Sequence, residues 1–195
     1  MMNGDKLNMQ NGQSFVVEGC DTIPKLFLKQ TADWGGKVAM REKDFGIWQT
    51  YTWSDYRARA IEIAQGLLAL GLNSGDVVSI QSEDCKEWVF ADLGIMLCGG
   101  IVNGVYPTYQ SRQVSYTLQD SNCRFLFVED EEQLDKFLEV GAELPNIEKV
   151  IVFDWKGLRE LKHDKVMSIE HLYTMGQEYG LSLIHISEPT RPRLI

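Results

Sequence analysis

Val77-Val78-Ser79-Ile80, Ile101-Val102-Asn103-Gly104-Val105, Arg124-Phe125-Leu126-Phe127-Val128 and Lys149-Val150-Ile151-Val152-Phe153 decide the fold. Each is a short run rich in β-branched or aromatic residues, the composition that suits a pleated, buried surface. The segments between them read as helices. The first runs from about Asp84 to Cys98. The second is capped by Ser111 and carries Val114, Tyr116 and Leu118. The third runs from Glu131 to Val140, with Leu134, Phe137 and Leu138 turned inward. Strand–helix–strand, repeated three times with short connections, predicts parallel pairing, because parallel neighbours need a crossover and the helix supplies it. The fold class is therefore α/β: a mostly parallel sheet flanked by helices.

Outward from this stretch the signals are local. Thr22 offers an N-cap and Pro24 a first-turn proline for a helix through Leu26, Phe27 and Thr31 to Trp34, closed by Gly35-Gly36. Val38 to Arg41 and Ile47 to Tyr51 flank Asp44-Phe45-Gly46 and read as a hairpin. Thr52-x-x-Asp55 opens a helix like a capping box. Tyr56, Ala60, Ile63, Ala64, Leu67, Leu68 and Leu70 form its apolar stripe, and Gly71 ends it. Residues 1–21 read as a loose leader. Beyond Phe153 the pattern weakens, with one last helix expected over Ser168 to Gln177.

Composition narrows the function classes. With 44% hydrophobic residues in 195, one ordinary domain can bury a core. The net charge of −9 repels phosphate backbones and argues against nucleic-acid binding. Cys20, Cys85, Cys98 and Cys123 form no CxxC pair, so neither a zinc knuckle nor a redox motif is expected, and reduced thiols are. The amino terminus shows no signal-peptide pattern, and the longest apolar run, Leu93 to Val102, is roughly half a membrane span. A cytoplasmic protein is expected, with peripheral membrane contact left open.

The usual chemistry-bearing motifs are missing. No two glycines are separated by one residue, so the dinucleotide fingerprint GxGxxG does not occur. Gly94 and Gly99-Gly100 lack the Lys-Ser/Thr that completes a phosphate loop, and there is no GxSxG. His163 and His171 stand apart without HExxH context and read as surface histidines. The acidic run Glu129 to Glu132 reads as a solvated helix start rather than a metal site.

Three groups of residues together resemble the adenylate-forming superfamily, and within it the long-chain fatty acyl-CoA synthetases. The first is Thr50-Tyr51-Thr52-Trp53-Ser54-Asp55-Tyr56 with Leu67 to Gly71 and Gly75-Asp76-Val77-Val78. The second is Ser82-Glu83, Glu87-Trp88 and Ala91-Asp92, leading through Gly99-Gly100 to Tyr106-Pro107-Thr108. The third is Tyr116-x-Leu118-x-Asp120-Ser121, then Phe127-Val128-Glu129-Asp130 and Gln133-Leu134-x-Lys136. The resemblance spans about Thr22 to Phe153. Trp53, Tyr56 and Trp88 also read as packing residues, and Gly99-Gly100 as a close helix–strand approach.

The resemblance implies an ATP-dependent long-chain fatty acid–CoA ligase. Such an enzyme uses ATP, Mg²⁺ and coenzyme A: the fatty acid carboxylate attacks the α-phosphorus, pyrophosphate leaves, and the coenzyme A thiol then displaces AMP. The family's Ser/Thr/Gly-rich loop ending in Lys, and its mobile lysine, have no counterpart here, since Tyr179-Gly180 is followed by no such loop and by no lysine. The chain therefore reads as a partial amino-terminal domain, over residues 22–180, with no catalytic, cofactor-binding or metal residue of its own and no ATP, Mg²⁺ or coenzyme A expected to be held by it alone. Tyr106, Pro107 and Thr108 are the substrate-cleft candidates, because they follow a strand where α/β folds bind ligands; a simple turn is the other reading. Leu181-Ser182-Leu183-Ile184-His185-Ile186-Ser187-Glu188-Pro189-Thr190-Arg191 resembles a translated sequencing-library adapter, so residues 181–195 are expected to be an artefactual tail that packs little. A stand-alone α/β binding or regulatory module is the alternative to an enzyme piece.

Overall fold

The computed structural model describes residues 16–187, with side chains described through Leu181. Val17 and Cys20 form an isolated bridge, after which α1 (Ile23–Trp34) starts where Thr22 Oγ1 accepts from the Lys25 N–H. Strands β1 (Val38–Asp44) and β2 (Ile47–Thr52) pair antiparallel. The turn places Phe45 at φ 44° and Gly46 at φ 82°, the two consecutive positive values whose twist suits a tight hairpin.

Helix α2 (Trp53–Ala69) has the capping box its sequence signals: Asp55 N–H donates to Thr52 Oγ1 at 3.2 Å, and Thr52 N–H to Asp55 Oδ2 at 2.8 Å. It ends with Gly71 at φ 88°, which lets Leu72 N–H reach Leu67 O and carries the buried Leu72 side chain back onto the core.

Five strands then build the sheet: β3 (Val77–Gln81), β4 (Ile101–Val105), β5 (Cys123–Val128), β6 (Lys149–Val152) and β7 (Val166–Ser168). Their order is β4-β3-β5-β6-β7, and every neighbouring pair is parallel. Helices α3 (Lys86–Leu97), α4 (Ser111–Asp120) and α5 (Glu131–Val140) are the crossovers, and α6 (Ile169–Ser187) follows β7. Both faces are covered. Val78, Ile80, Phe125, Phe127 and Ile151 pack with residues of α1, α2, α3 and α6. Val105, Leu126, Val128, Val150 and Val152 pack with residues of α4 and α5. Such two-sided burial explains why the strands read as continuous apolar runs.

At the amino-terminal edge Arg124 gathers three strands. Its fork donates to Glu148 at 2.9 and 3.0 Å, and its other nitrogen to Asp76. The planar guanidinium suits this bidentate geometry.

The parallel sheet and its three crossovers follow the sequence reading, with local corrections. Strand β7 is too short, at three residues, to stand out as a run, and it pairs only because β6 offers an edge. Helix α3 begins at Lys86, with Cys85 rather than Asp84 at its cap. Gln110, not Ser111, caps α4: its N–H donates to Gln113 Oε1 at 3.0 Å, while Ser111 Oγ turns to Glu139 of α5. Leu138 lies at the rim of α5, 36% exposed, because the inward face is taken by Leu134, Phe137 and Val140. Helix α6 passes Gln177 and Gly180 and runs to Ser187. The packing of Leu183, Ile184 and Ile186, and everything at residues 1–15 and 188–195, lies outside the described residues.

Candidate functional site

In an open parallel sheet ligands bind beyond the carboxyl ends of the strands, where successive connections diverge to opposite faces. Here β3 runs into α3 on one face and β5 into α5 on the other, so the divergence falls between the ends of β3 and β5. The residues that follow these strands, Ser82-Glu83 and Glu129-Asp130, meet across the gap. Glu129 Oε2 accepts from the Glu83 N–H at 2.7 Å and lies 3.2 Å from Ser82 Oγ, while Glu129 N–H donates to Gln81 O. Asp130 caps α5 by accepting from the Gln133 N–H. The acidic run thus divides its work. Glu131 and Glu132 occupy the first turn of α5, as the sequence reading expects, whereas Glu129 closes the strand-end crevice.

Gln81 sits directly beneath. It is the last residue of β3, in register with Val105 and Val128, and is fully buried. Neither its Nε2 nor its Oε1 has a hydrogen-bond partner among the described residues. A buried amide without partners costs free energy, so this is the polar group at the sheet's carboxyl edge whose pairing is incomplete. Strand periodicity alone does not single it out, because a glutamine at a strand end normally reaches solvent.

Tyr106, Pro107 and Thr108 follow β4 at the same edge. Tyr106 is 68% exposed, with its ring 5.5 Å from that of Tyr109, and Thr108 is exposed too. Tyr109 N–H donates to Tyr106 O, so the segment is a turn leading into α4. Lys136 of α5 donates to Pro107 O at 2.6 Å and to Gln133 Oε1 at 2.9 Å, fixing the turn to the neighbouring crossover. The sequence reading named the turn, and Lys136 only as part of the family resemblance, not as the residue that holds the turn. Spacing cannot reveal a contact made across 29 residues.

Other residues singled out in the sequence serve packing. Tyr56 is buried against Phe27 and Phe90 and donates to Val89 O at 3.1 Å. Trp53 stacks on Tyr56, and Trp88 packs at the core margin. Gly99, at φ 84°, accepts through its carbonyl from the Gly75 N–H, and a Cβ on Gly100 would lie 2.7 Å from Ile95 Cγ2. Asp92 on α3 is half-buried, and desolvation raises its carboxyl above the usual range. Burial also pushes the Cys98 and Cys123 thiols up to about 11, away from the thiolate a nucleophile needs. Among the described residues, no three His, Cys, Asp or Glu side chains converge as a metal site. A depression of about 260 Å³ lined by Phe137, Leu138, Gly141, Ala142, His163 and Lys165 lies at the opposite edge, by the end of α5 and the start of β7.

What this edge can do chemically is limited by its charge. Glu129 joins Ser82 and Glu83 there, Tyr106 and Thr108 stand exposed after β4, and the Lys136 ammonium is taken up by Pro107 O and Gln133 Oε1, a set able to orient a neutral or apolar group but not to neutralise a triphosphate.

Known proteins supply the identity that this geometry leaves general. A long-chain-fatty-acid–CoA ligase of Rattus norvegicus, ACSBG1, is 27% identical over 157 residues, 80% of this chain and 22% of that protein. A second, ACSBG2 of the same species, is 34% identical over 131 residues, 67% of this chain and 20% of that protein. The chain thus spans about a fifth of the length of the curated relatives it matches. Among solved structures, the anthranilate CoA ligase AuaEII in complex with anthranoyl-AMP superposes with a TM-score of 0.68 at 22% identity, over 77% of this chain and 27% of that one. Coronafacic acid ligase from Pectobacterium brasiliense gives 0.67 at 18% identity, over 77% and 29%. At such identities the superpositions establish the fold. The sequence model of the AMP-binding enzymes matches residues 27–180, nearly the whole of the sheet and its helices, and the chain belongs to that family of enzymes.

Proposed function

We propose that this chain supplies the amino-terminal part of an ATP-dependent long-chain fatty acid–CoA ligase, which forms an acyl-adenylate and then an acyl-CoA. The observation that carries the reading is the run of similarity to long-chain-fatty-acid–CoA ligases over four fifths of the chain. ATP, coenzyme A and a fatty acid are the reactants of the whole enzyme, Mg²⁺ is its cofactor, and its setting is the cytoplasm. The role of these residues is to frame one side of the cleft. The turn Tyr106-Pro107-Thr108, held by Lys136, presents the exposed Tyr106 ring at the carboxyl edge of the sheet, where it contributes wall rather than charge. No loop rich in Ser, Thr and Gly and ending in Lys occurs in the sequence. Each charge-stabilising group of that kind is worth about 10²–10³ in rate, so the 195 residues by themselves are inactive. Residues 181–195 are proposed to be foreign to the enzyme.

The test mixes the 195-residue polypeptide with ATP, Mg²⁺, palmitate and coenzyme A and measures pyrophosphate. None is expected. The same sequence joined to its natural downstream coding region is expected to release it, with palmitate preferred to acetate. Turnover by the isolated chain would refute the division of labour, and a joined protein that prefers acetate would remove the long-chain assignment. A stop codon after Gly180 in the genomic frame would favour a stand-alone binding module instead.

A further inference from the structure

The hairpin β1–β2 carries an unexplained surface. Its base packs: Met40 and Tyr51 lie against the core, Tyr51 near Phe90. Its outer half does not. From Lys43 to Thr50 every residue is exposed, so both faces of the ribbon stand in solvent. Phe45 at the turn is 92% exposed, Ile47 65% and Trp48 64%. Trp48 pairs with Lys43 and Ile47 with Asp44, which puts the two apolar side chains on opposite faces with Phe45 at the tip between them. Single exposed apolar residues are ordinary, but three within four positions at the end of a projecting ribbon are not.

The charges around the tip are sorted. Arg41 and Lys43 alternate with the inward-facing Glu42, and Lys37 lies at the base. Glu42 is drawn to the core side by Lys86 at 2.7 Å and by the Tyr51 hydroxyl, which leaves Asp44 as the carboxylate beside Arg41 and Lys43. The protein as a whole carries −9. An anionic surface would repel most of this molecule and attract this end, which fixes orientation as well as contact. Trp and Phe beside Lys and Arg is the composition that settles at the headgroup boundary of a bilayer. Among the described residues no helix is long and apolar enough to cross a membrane.

We propose that the outer half of this hairpin, Lys43 to Thr50, is a peripheral membrane anchor. Phe45, Ile47 and Trp48 enter the interface of an anionic bilayer, and Arg41 and Lys43 lie against its headgroups. The anchor is independent of the ligase reading, since binding needs no turnover.

The experiment is co-sedimentation of the full 195-residue chain with phosphatidylcholine vesicles, with and without phosphatidylglycerol, at low and high salt. Circular dichroism is recorded for every variant. Binding is expected with the anionic vesicles and is expected to weaken in high salt. Phe45→Ser and Trp48→Ser should each lower the partition coefficient about tenfold, the value of removing one large apolar side chain from the interface. Lys43→Glu, which removes no apolar group, should weaken binding to anionic vesicles and leave the weak binding to neutral ones unchanged. Tyr116→Ser removes an equally exposed aromatic from α4 and should change nothing. Absence of wild-type binding overturns the proposal, as does equal loss with Tyr116→Ser or full binding by the Phe45 and Trp48 variants. Wild-type binding lost only in a longer natural protein would show that another part of that protein covers the tip, and would overturn it too.

Discussion

Replacing Gly176 by alanine sets two physical effects of opposite sign against each other. In a free helix the change stabilises, because alanine exceeds glycine by about 1 kcal/mol in helix propensity. In this protein α6 lies across α2 with backbone against backbone. A Cβ on Gly176 would run into the carbonyl oxygen of Glu62 and come within 2.9 Å of its carbon and 3.1 Å of the Gly66 nitrogen. Gly66 is the reciprocal position, where a Cβ would meet Leu172 O at 2.6 Å. Backbone cannot step aside as a side-chain end can. The helices must separate, and Leu67, Leu172 and Tyr173, all buried in this contact, lose packing with them. Overpacking of this kind costs about 1–3 kcal/mol. Because backbone meets backbone at both glycines, the upper part of that range applies, and the propensity gain offsets only part of it. The expected net loss is about 1–2 kcal/mol, or a fall in Tm of about 2–8 °C for a domain of this size. Urea denaturation of the chain and of Gly176→Ala measures it, with Glu178→Ala, on the exposed side of α6, as the control expected to change little. A Gly176→Ala protein more stable than its parent would mean that α6 behaves as a free helix and does not pack on α2 as described.

Two further changes probe the ends of elements. Gln81→Met keeps side-chain length while removing both unpartnered amide atoms, so its urea midpoint should equal or exceed the parent's, against a loss for Gln81→Ala, which leaves a cavity. Thr52→Ala should cost about 1 kcal/mol by removing the cap of α2. The hydrogen bond to the Thr52 side chain and that to its backbone hold the Asp55 carboxyl below its usual value. Its contribution is therefore present above the unfolded value and lost as pH falls through the folded one, so Thr52→Ala should flatten the acid limb of a stability–pH curve, a result absent if Asp55 is not the capping partner.

The legibility of this chain varied with the range of the interaction responsible. Caps and turns act over three or four residues, so Thr22, Thr52-x-x-Asp55, Gly71 and Phe45-Gly46 announced their structures directly. The parallel sheet was legible for a different reason: strands buried on both faces must be apolar throughout, and four such runs separated by helices admit few topologies. The resemblance carried by Thr50 to Tyr56 and the later segments pointed to the family, which the match over residues 27–180 establishes.

The candidate site was only half legible. Tyr106-Pro107-Thr108 could be placed after a strand, but Lys136, which holds the turn, comes from another crossover. Ser82, Glu83 and Glu129 were visible as separate markers, and their meeting requires β3 and β5 to be neighbours, which the chain order conceals because β4 intervenes. Strand β7, the isolation of Gln81 and the backbone contact between α2 and α6 likewise exist only once distant segments are placed together. The sequence by itself determined the elements other than β7 and their parallel arrangement, through local hydrogen bonding and the need to bury apolar surface on both faces. Tertiary structure decided which polar groups find partners, because a hydrogen bond depends on a separation of about 3 Å, and no local pattern fixes that distance between residues far apart in the chain.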